Sequence, residues 1–392
     1  MQKFYHTHFD LLESVKFPIQ RELKNEIDWR SRLIGIKGTR GIGKTIFLLD
    51  YIKSTFGTDK SCLYVNLNNF YFSGHSLVDF ADEFRKTGGK TLVLDQVFKY
   101  PDWSEALRNI YNKYPELQVI FTGSPVMRLK DDNPDLEGKV QAYHLSGLSF
   151  REFLNFKTDN NFSKYSLEDI LKYHVEIAKD ILFKVKPLAY FNDYLKYGFY
   201  PFFTESLNFG ENVLKIVNLT LEIDIPFLQQ MELKFYPKLK KLIFELSEDM
   251  PHVPNVSQLS NSIDTSRATV MNYLKYLRNA RLINMVYQGE LDDAKKPERV
   301  YMQNTNLLYA ISQSEPSNEV LNETYFLNQL KKGHKVSSNG KKGEFLIDDT
   351  LLFKVGNHKR ITNNINNTYI GTHMEEVGVD TRIPLWLFGF LY

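Results

Sequence analysis

A single cysteine, Cys62, stands among 392 residues. One thiol cannot close an internal disulfide, and no Cys cluster exists to hold structural zinc or an iron–sulfur centre. Long apolar runs are missing as well. The longest, IPLWLFGFLY at 383–392, is about half a membrane span. The opening MQKFYHTHFDLLESV is amphipathic and lacks the uninterrupted apolar stretch of a signal peptide. Neither sign of charge is in excess: 49 Lys plus Arg face 47 acidic residues, a net charge of +2. That balance excludes polycationic nucleic-acid binding over the whole surface and leaves only a local basic patch open. Together these absences predict a soluble cytoplasmic protein without a membrane partner. What is present is ordinary for a globular chain. The 43% hydrophobic share can fill sizeable cores, which excludes intrinsic disorder, and the length suits two or three domains.

Three zones differ in pattern. From about 30 to 155, short β-rich runs alternate with amphipathic stretches, which predicts an α/β fold with a parallel sheet. The runs are RLIGIKG (32–38), CLYVNL (62–67), TLVLD (91–95), LQVIFTG (117–123) and QAYHLSGL (141–148). Residues 150–250 carry helical periodicity interrupted by Pro187, Pro201, Pro226 and Pro237. Residues 250–310 read as helix–turn–helix followed by two strands. Beyond about 320, the helix ETYFLNQLKK precedes short strands, a Gly/Asn/Lys-rich hairpin (338–343) and an Asn-rich loop (363–367).

The first run leads directly into Gly38-Thr39-Arg40-Gly41-Ile42-Gly43-Lys44-Thr45 and then into IFLLDYIKSTF. This is G-x-x-x-x-G-K-[ST] in its required strand–loop–helix context. Glycines there let backbone N–H groups curl around phosphate oxygens at a helix N-terminus, whose dipole favours an anion. Lys44 is placed to reach the β- and γ-phosphates of ATP, and the Thr45 hydroxyl to ligate Mg²⁺. The partner element is an apolar strand ending in an acid, and TLVLD ends in Asp95, which would hold Mg²⁺ through a water. Gln96 follows where a glutamate usually activates the attacking water. A glutamine orients water but cannot accept its proton near neutral pH. Thr122 and Ser124, at the end of LQVIFTG, are candidate polar sensors, although Thr-Gly-Ser is also ordinary turn chemistry.

The segments IDWRSRLIGIKGTRGIGKT, LVLDQVFKYPDWSEALRNIYNKYP, VIFTGS and LSGLSFREFL resemble a widespread prokaryotic family of AAA-type ATPases. In that family the ATPase domain is joined to a winged helix and a restriction-endonuclease-like C-terminal domain. The resemblance continues through YLKYGFYPFF, KPERVYMQNTNLLYA, ETYFLNQL and IPLWLFGFLY. It implies ATP binding and a four-part chain: a P-loop domain at 1–155, a helical linker or lid at 156–250, a winged helix at 251–312 and the endonuclease-like domain at 313–392. Two departures stand out. The family usually reads Asp-Glu followed by a hydrophobic residue and His; this chain reads Asp95-Gln96-Val97-Phe98. Where the family carries an Arg-Arg pair, this chain has Gly138-Lys139, and lysine lacks the planar fork that bridges two phosphate oxygens. Both changes remove groups that act on a transition state more than on ground-state binding.

Within the third zone, Asn255 and Asp264-Thr265-Ser266 are helix caps. Val270, Leu274 and Leu277 form a core stripe, while Arg267, Asn272, Lys275 and Arg278 lie largely off it. LINMVYQ and ERVYMQ are the strands of a wing with Lys295 and Lys296 near its tip. Arg267 and Lys275 are therefore candidates for duplex DNA contact. Acidic Glu290, Asp292 and Asp293 oppose that, and a lid or protein contact is the competing reading. In the last zone, Glu323 and Glu344 are the carboxylates an endonuclease-like fold offers to Mg²⁺. Lys354 stands where relatives place an acid, which predicts an inactive site. Cys62 and His144 read as structural, His6 and His8 show no metal-ligand spacing, and Lys234, Lys238, Lys240 and Lys241 as a solvated helix face. The sum is an ATP-binding switch with slow or absent hydrolysis. An active ATPase using Gln96 and Lys139 and an ATP-controlled DNA-binding regulator stand as alternatives, and oligomerisation is open.

Overall fold

Each of the five β-rich runs before residue 148 forms a strand: β1 (Leu33–Lys37), β2 (Cys62–Asn66), β3 (Thr91–Asp95), β4 (Gln118–Gly123) and β5 (Gln141–His144). The computed structural model describes all residues except 17–18, 128, 130–132, 206–207, 227–230, 251–252, 291–294, 342 and 357–366. The strands form one all-parallel sheet in the order β2-β3-β4-β1-β5. Near-continuous Val, Ile and Leu suit a sheet covered on both faces, and Ile34, Ile36, Val93, Leu94 and Ile120 are fully buried. Such burial is worth about 1.5–3 kcal/mol per side chain. The final run is shorter than its pattern. β5 ends at His144, and the Leu145 N–H donates to the Lys37 carbonyl.

The described chain divides into two compact units, Met1–Ser146 and Gly147–Tyr392. In the first, helices Lys44–Thr55, Leu77–Lys86 and Trp103–Lys113 connect the strands. Ser76 caps the second of these by accepting the Asp79 N–H at 3.2 Å. LSFREFL, at the end of the segment read as 1–155, falls in the second compact unit. Its helix Phe150–Thr158 begins with a Ser149/Glu152 capping box. The cause is aromatic packing: Phe150 meets Phe191, Tyr194 and Phe390 at ring distances of 5.2, 5.4 and 6.4 Å.

The second unit continues through helices Tyr236–Glu248, Val256–Ser262 and Arg267–Asn279 to an antiparallel pair, β6 (Ile283–Val286) and β7 (Arg299–Met302). Two lysines expected on a solvated face have backbone partners. Lys241 Nζ donates to the Ser262 carbonyl at 2.6 Å and Lys238 Nζ to that of Asp264, tying their helix to the turn after Val256–Ser262. Helix Asn318–Leu330 then leads to a mixed sheet of β8 (Val336–Ser338), β9 (Glu344–Ile347), β10 (Leu351–Val355), β11 (Thr368–Thr372) and β12 (Arg382–Pro384), ordered β12-β11-β10-β9-β8. Asp292 and Asp293 of the expected wing, Lys342 of the hairpin and 363–366 of the Asn-rich loop lie outside the described residues. No helix among the described residues is long and apolar enough to cross a membrane.

Candidate nucleotide site

The loop between β1 and helix Lys44–Thr55 is shaped by its glycines. Gly41 and Gly43 have φ of 77° and 87°, values that L side chains rarely adopt. A Cβ on Gly38 would lie 2.4 Å from Ile42 Cδ1 and 2.6 Å from the Leu145 carbonyl oxygen. The cradle therefore closes only around bare backbone. Ile42 is buried beneath it, and Arg40 is half-buried. Lys44 Nζ donates to the carbonyls of Gly38 at 2.7 Å and Thr39 at 2.6 Å, so its ammonium lies against the loop it follows.

Across the sheet, Asp95 is only 1% exposed and gathers several donors. Thr45 Oγ1 donates to Asp95 Oδ2 at 2.6 Å, and the Tyr64 phenol donates to the same oxygen at 2.8 Å. Thr122 Oγ1 donates to Asp95 Oδ1, which also accepts the Gln96 N–H at 3.0 Å. Burial first, then the adjacent Asp95 charge, hold the Tyr64 phenol far above the ordinary tyrosine range. It stays a neutral donor.

Gln96 has left-handed backbone, φ 56° and ψ 46°, which is uncommon for a residue with a Cβ. Its N–H also donates to Thr122 Oγ1 at 3.0 Å, whereas its side-chain amide has no hydrogen-bond partner among the described residues. The structure thus brings Lys44, Thr45, Asp95, Gln96 and Thr122 together at the C-terminal edge of the sheet. Such an edge is the usual ligand side of an open α/β fold. Thr122 is fully buried and contacts Asp95 and the Gln96 backbone. Ser124 accepts the Val126 N–H at 3.4 Å, a turn contact. Tyr64 was not singled out by its sequence. Its signal is a tyrosine within an otherwise apolar run, in a strand whose last pair aligns Asn66 with Asp95. The glycine cradle fits a phosphate chain, and the Thr45–Asp95 oxygen pair suits the hard oxygen-ligand chemistry of Mg²⁺.

In the second unit, Arg267 opens its helix after Ser266, whose hydroxyl accepts the Thr269 N–H at 3.1 Å. Arg267, Met271 and Lys296 border an open groove of about 600 Å³ with Asn255, Val256 and Ser257. Lys275 is half-buried two turns further along the helix from Arg267. The C-terminal carboxylates are both engaged. Glu323 Oε2 accepts the Tyr301 hydroxyl at 2.7 Å. Glu344 pairs with Lys354 at 3.1 Å across the β9–β10 register and accepts from Asn339 Nδ2 at 2.9 Å. Lys354 thus neutralises Glu344 directly, and no cluster of three or more His, Cys, Asp or Glu side chains that could hold a metal occurs among the described residues.

A family model described as an AAA domain matches residues 30–154. Two uncharacterized proteins of Methanocaldococcus jannaschii are similar to this chain. One is 22% identical over 300 residues, covering 72% of this chain and 62% of the relative; the other is 24% identical over 327 residues, covering 78% and 68%. An uncharacterized protein of Haemophilus influenzae is 24% identical over 281 residues, 65% of this chain and 62% of that protein. The match with the first of these relatives therefore spans less than two thirds of that protein's length. Among solved structures, a DNA replication initiation factor is 14% identical, covers 70% of this chain and 88% of its own, and has a TM-score of 0.26. AMPPCP-bound DnaA from Aquifex aeolicus is 11% identical, covers 71% and 87%, and has a TM-score of 0.22. Both scores are below what a shared whole-chain arrangement produces. The family match, the all-parallel sheet and the glycine loop coincide over residues 30–154, and in that segment the chain is similar to AAA-type P-loop domains.

Proposed function

We propose that this protein binds Mg-ATP in its first unit and acts as a nucleotide-controlled switch with slow or absent hydrolysis. The observation that carries this reading is Gln96, held beside Asp95 with its backbone N–H bonded and its side-chain amide unengaged. Lys44 would exchange its carbonyl partners for phosphate oxygens, and backbone N–H groups of 38–45 would surround them. Thr45 and Asp95 would hold Mg²⁺, which supplies charge neutralisation to the phosphates. Thr122 orients Asp95 and the Gln96 backbone. The Gln96 amide can position a water yet takes no proton from it, so binding is favoured over turnover.

The test is calorimetric Mg-ATP binding alongside steady-state phosphate release. Tight binding with negligible release supports the switch; release near ~1 s⁻¹, within the usual enzyme range, establishes the active-ATPase alternative. A second reading, an ATP-controlled DNA-binding regulator built on a winged helix at 251–312, draws support from the groove beside Arg267 and Lys296. Repeating both measurements with duplex DNA separates it from the switch. For 313–392 we propose an inactive endonuclease-like domain, in keeping with the Glu344–Lys354 pair. Cytoplasmic location and assembly into oligomers remain parts of the same proposal.

A further inference from the structure

Arg21 stands just before the short helix Leu23–Glu26, outside the strands and helices that build the nucleotide site. Its segment is fastened to the helix that follows the P-loop. Lys24 Nζ pairs with Asp50 Oδ2 at 2.6 Å, and Trp29 stacks on Tyr51 with ring centroids 3.6 Å apart. From that base the Arg21 guanidinium reaches two backbone carbonyls in distant parts of the chain. Nη1 donates to the Ile42 carbonyl at 3.0 Å, and Nη2 donates to the Ser146 carbonyl.

The first carbonyl lies inside the glycine loop. In a planar trans peptide the C=O and the following N–H point to opposite sides. A bond from Arg21 to the Ile42 carbonyl therefore turns the Gly43 N–H away from the guanidinium. Gly43 is the N-cap of helix Lys44–Thr55, and its N–H has no acceptor among the described residues. It is one of the donors such a loop offers to a phosphate.

The second carbonyl closes the first unit. The chain passes from that unit to the next once, at the Ser146–Gly147 peptide. Just before it, Leu145 lies against the loop: its N–H donates to the Lys37 carbonyl at 2.9 Å, and its carbonyl oxygen is what a Cβ on Gly38 would meet at 2.6 Å. Just after it, Leu148 is held through both backbone groups. Its N–H donates to the Phe199 carbonyl at 2.8 Å, and its carbonyl accepts the Tyr194 hydroxyl at 2.7 Å. Gly147 itself has no room for a side chain, since a Cβ there would lie 2.4 Å from the Phe199 ring.

We propose that Arg21 is a positioning residue that sets the Ile42–Gly43 peptide and links the nucleotide state of the P-loop to the Ser146–Gly147 junction. This inference rests on the Mg-ATP switch reading and names the route by which that switch acts. A phosphate on the Gly43 N–H fixes the peptide from one side while Arg21 fixes it from the other. Because one planar guanidinium bonds both carbonyls, a turn of the Ile42–Gly43 peptide shifts Arg21 and, with it, Ser146. Linkage makes the path reciprocal: a change in the second unit that moves Gly147 reaches the Gly43 donor by the same bonds.

The test uses the full chain as parent, Arg21→Ala and Arg21→Lys. Calorimetry measures Mg-ATP affinity, and hydrogen exchange is followed in the peptides 38–46 and 143–150 with and without saturating Mg-ATP. In the parent, Mg-ATP should slow exchange in both peptides, by about fivefold or more in 143–150. Arg21→Ala should bind about tenfold more weakly and, once saturated, slow only 38–46. Methylguanidinium at a non-denaturing concentration should restore its 143–150 response. Arg21→Lys keeps charge and most of the bulk, so it should fold like the parent, yet a point charge without the fork should lose the response. A merely structural arginine predicts a lower thermal midpoint with the 143–150 response intact at saturation in both variants, and that result overturns the proposal. A parent that binds Mg-ATP without any change in 143–150 overturns it alone. A parent that binds no Mg-ATP overturns the switch reading and this inference together.

Discussion

The Tyr64 phenol and the Thr45 hydroxyl converge on one oxygen, Asp95 Oδ2, at 2.8 and 2.6 Å. Thr45 is a candidate metal ligand, whereas Tyr64 reaches Asp95 from β2, the edge strand beside β3. Tyr64 thus holds from β2 the same carboxylate oxygen that the P-loop helix reaches through Thr45. Tyr64→Phe should destabilise the first unit by about 1–3 kcal/mol, the usual worth of a hydrogen bond to a charged group. Urea-dependent hydrogen exchange of β2 and β3 measures this. Mg-ATP affinity should stay within about threefold, and a tenfold loss would mean that Tyr64 meets the nucleotide itself.

Lys44→Ala should weaken Mg-ATP binding at least tenfold, about 1.4 kcal/mol, by removing the cation nearest the phosphates. The variant also loses the bonds to the Gly38 and Thr39 carbonyls, which water can replace at this half-buried position. Unchanged affinity by calorimetry would reduce the loop to a structural turn.

Gln96→Glu introduces a group able to accept a proton without altering the backbone bonds to Asp95 and Thr122. Phosphate release should rise several-fold with ATP affinity roughly constant, because the gain belongs to the transition state. Equal rates in both proteins would place the limitation elsewhere, with Lys139 the next position to change.

His8 is fully buried, and its Nδ1 accepts the Tyr64 N–H at 2.9 Å. Burial pushes its pKa down from 6.5 to about 4. In that interval the unfolded chain holds a proton that the folded chain excludes. The neutral ring therefore contributes its full stability above pH 6.5, and that contribution is lost as pH falls from 6.5 to 4, up to about 3 kcal/mol. The protection factor of the Tyr64 amide, taken against its intrinsic exchange rate at each pH, should fall as pH is lowered across this window and lose that dependence in His8→Gln. A flat profile in the parent would refute the buried neutral histidine.

Arg267→Ala combined with Lys275→Ala tests the DNA reading. If the helix contacts a duplex, gel-shift affinity should fall and the salt slope shrink by about 2, with ATP binding unchanged. A lid or protein contact predicts no salt-sensitive duplex complex, but altered ATP affinity or oligomer size in the same variant. Near-neutral net charge favours weak duplex binding by the isolated chain.

By itself the sequence determined the elements whose signals are local. A run of Val, Ile and Leu ending in Asp95, and the spacing from Gly38 to Thr45, specify strand, turn and helix within a few residues of chain. The winged and C-terminal readings rest on similar local patterns and on resemblance. Tertiary structure decided what depends on register and distant packing. Strand β3 between β2 and β4 brings Tyr64 and Thr122 to Asp95 from 31 and 27 residues away. The β9–β10 register sets Lys354 on Glu344, and Phe150 carries its helix into the second unit through partners as remote as Phe390. Arg21 likewise meets Ile42 and Ser146 across 21 and 125 residues of chain. Spacing along the chain carries no record of such meetings, because they are set by long-range pairing of strands and the closing of cores.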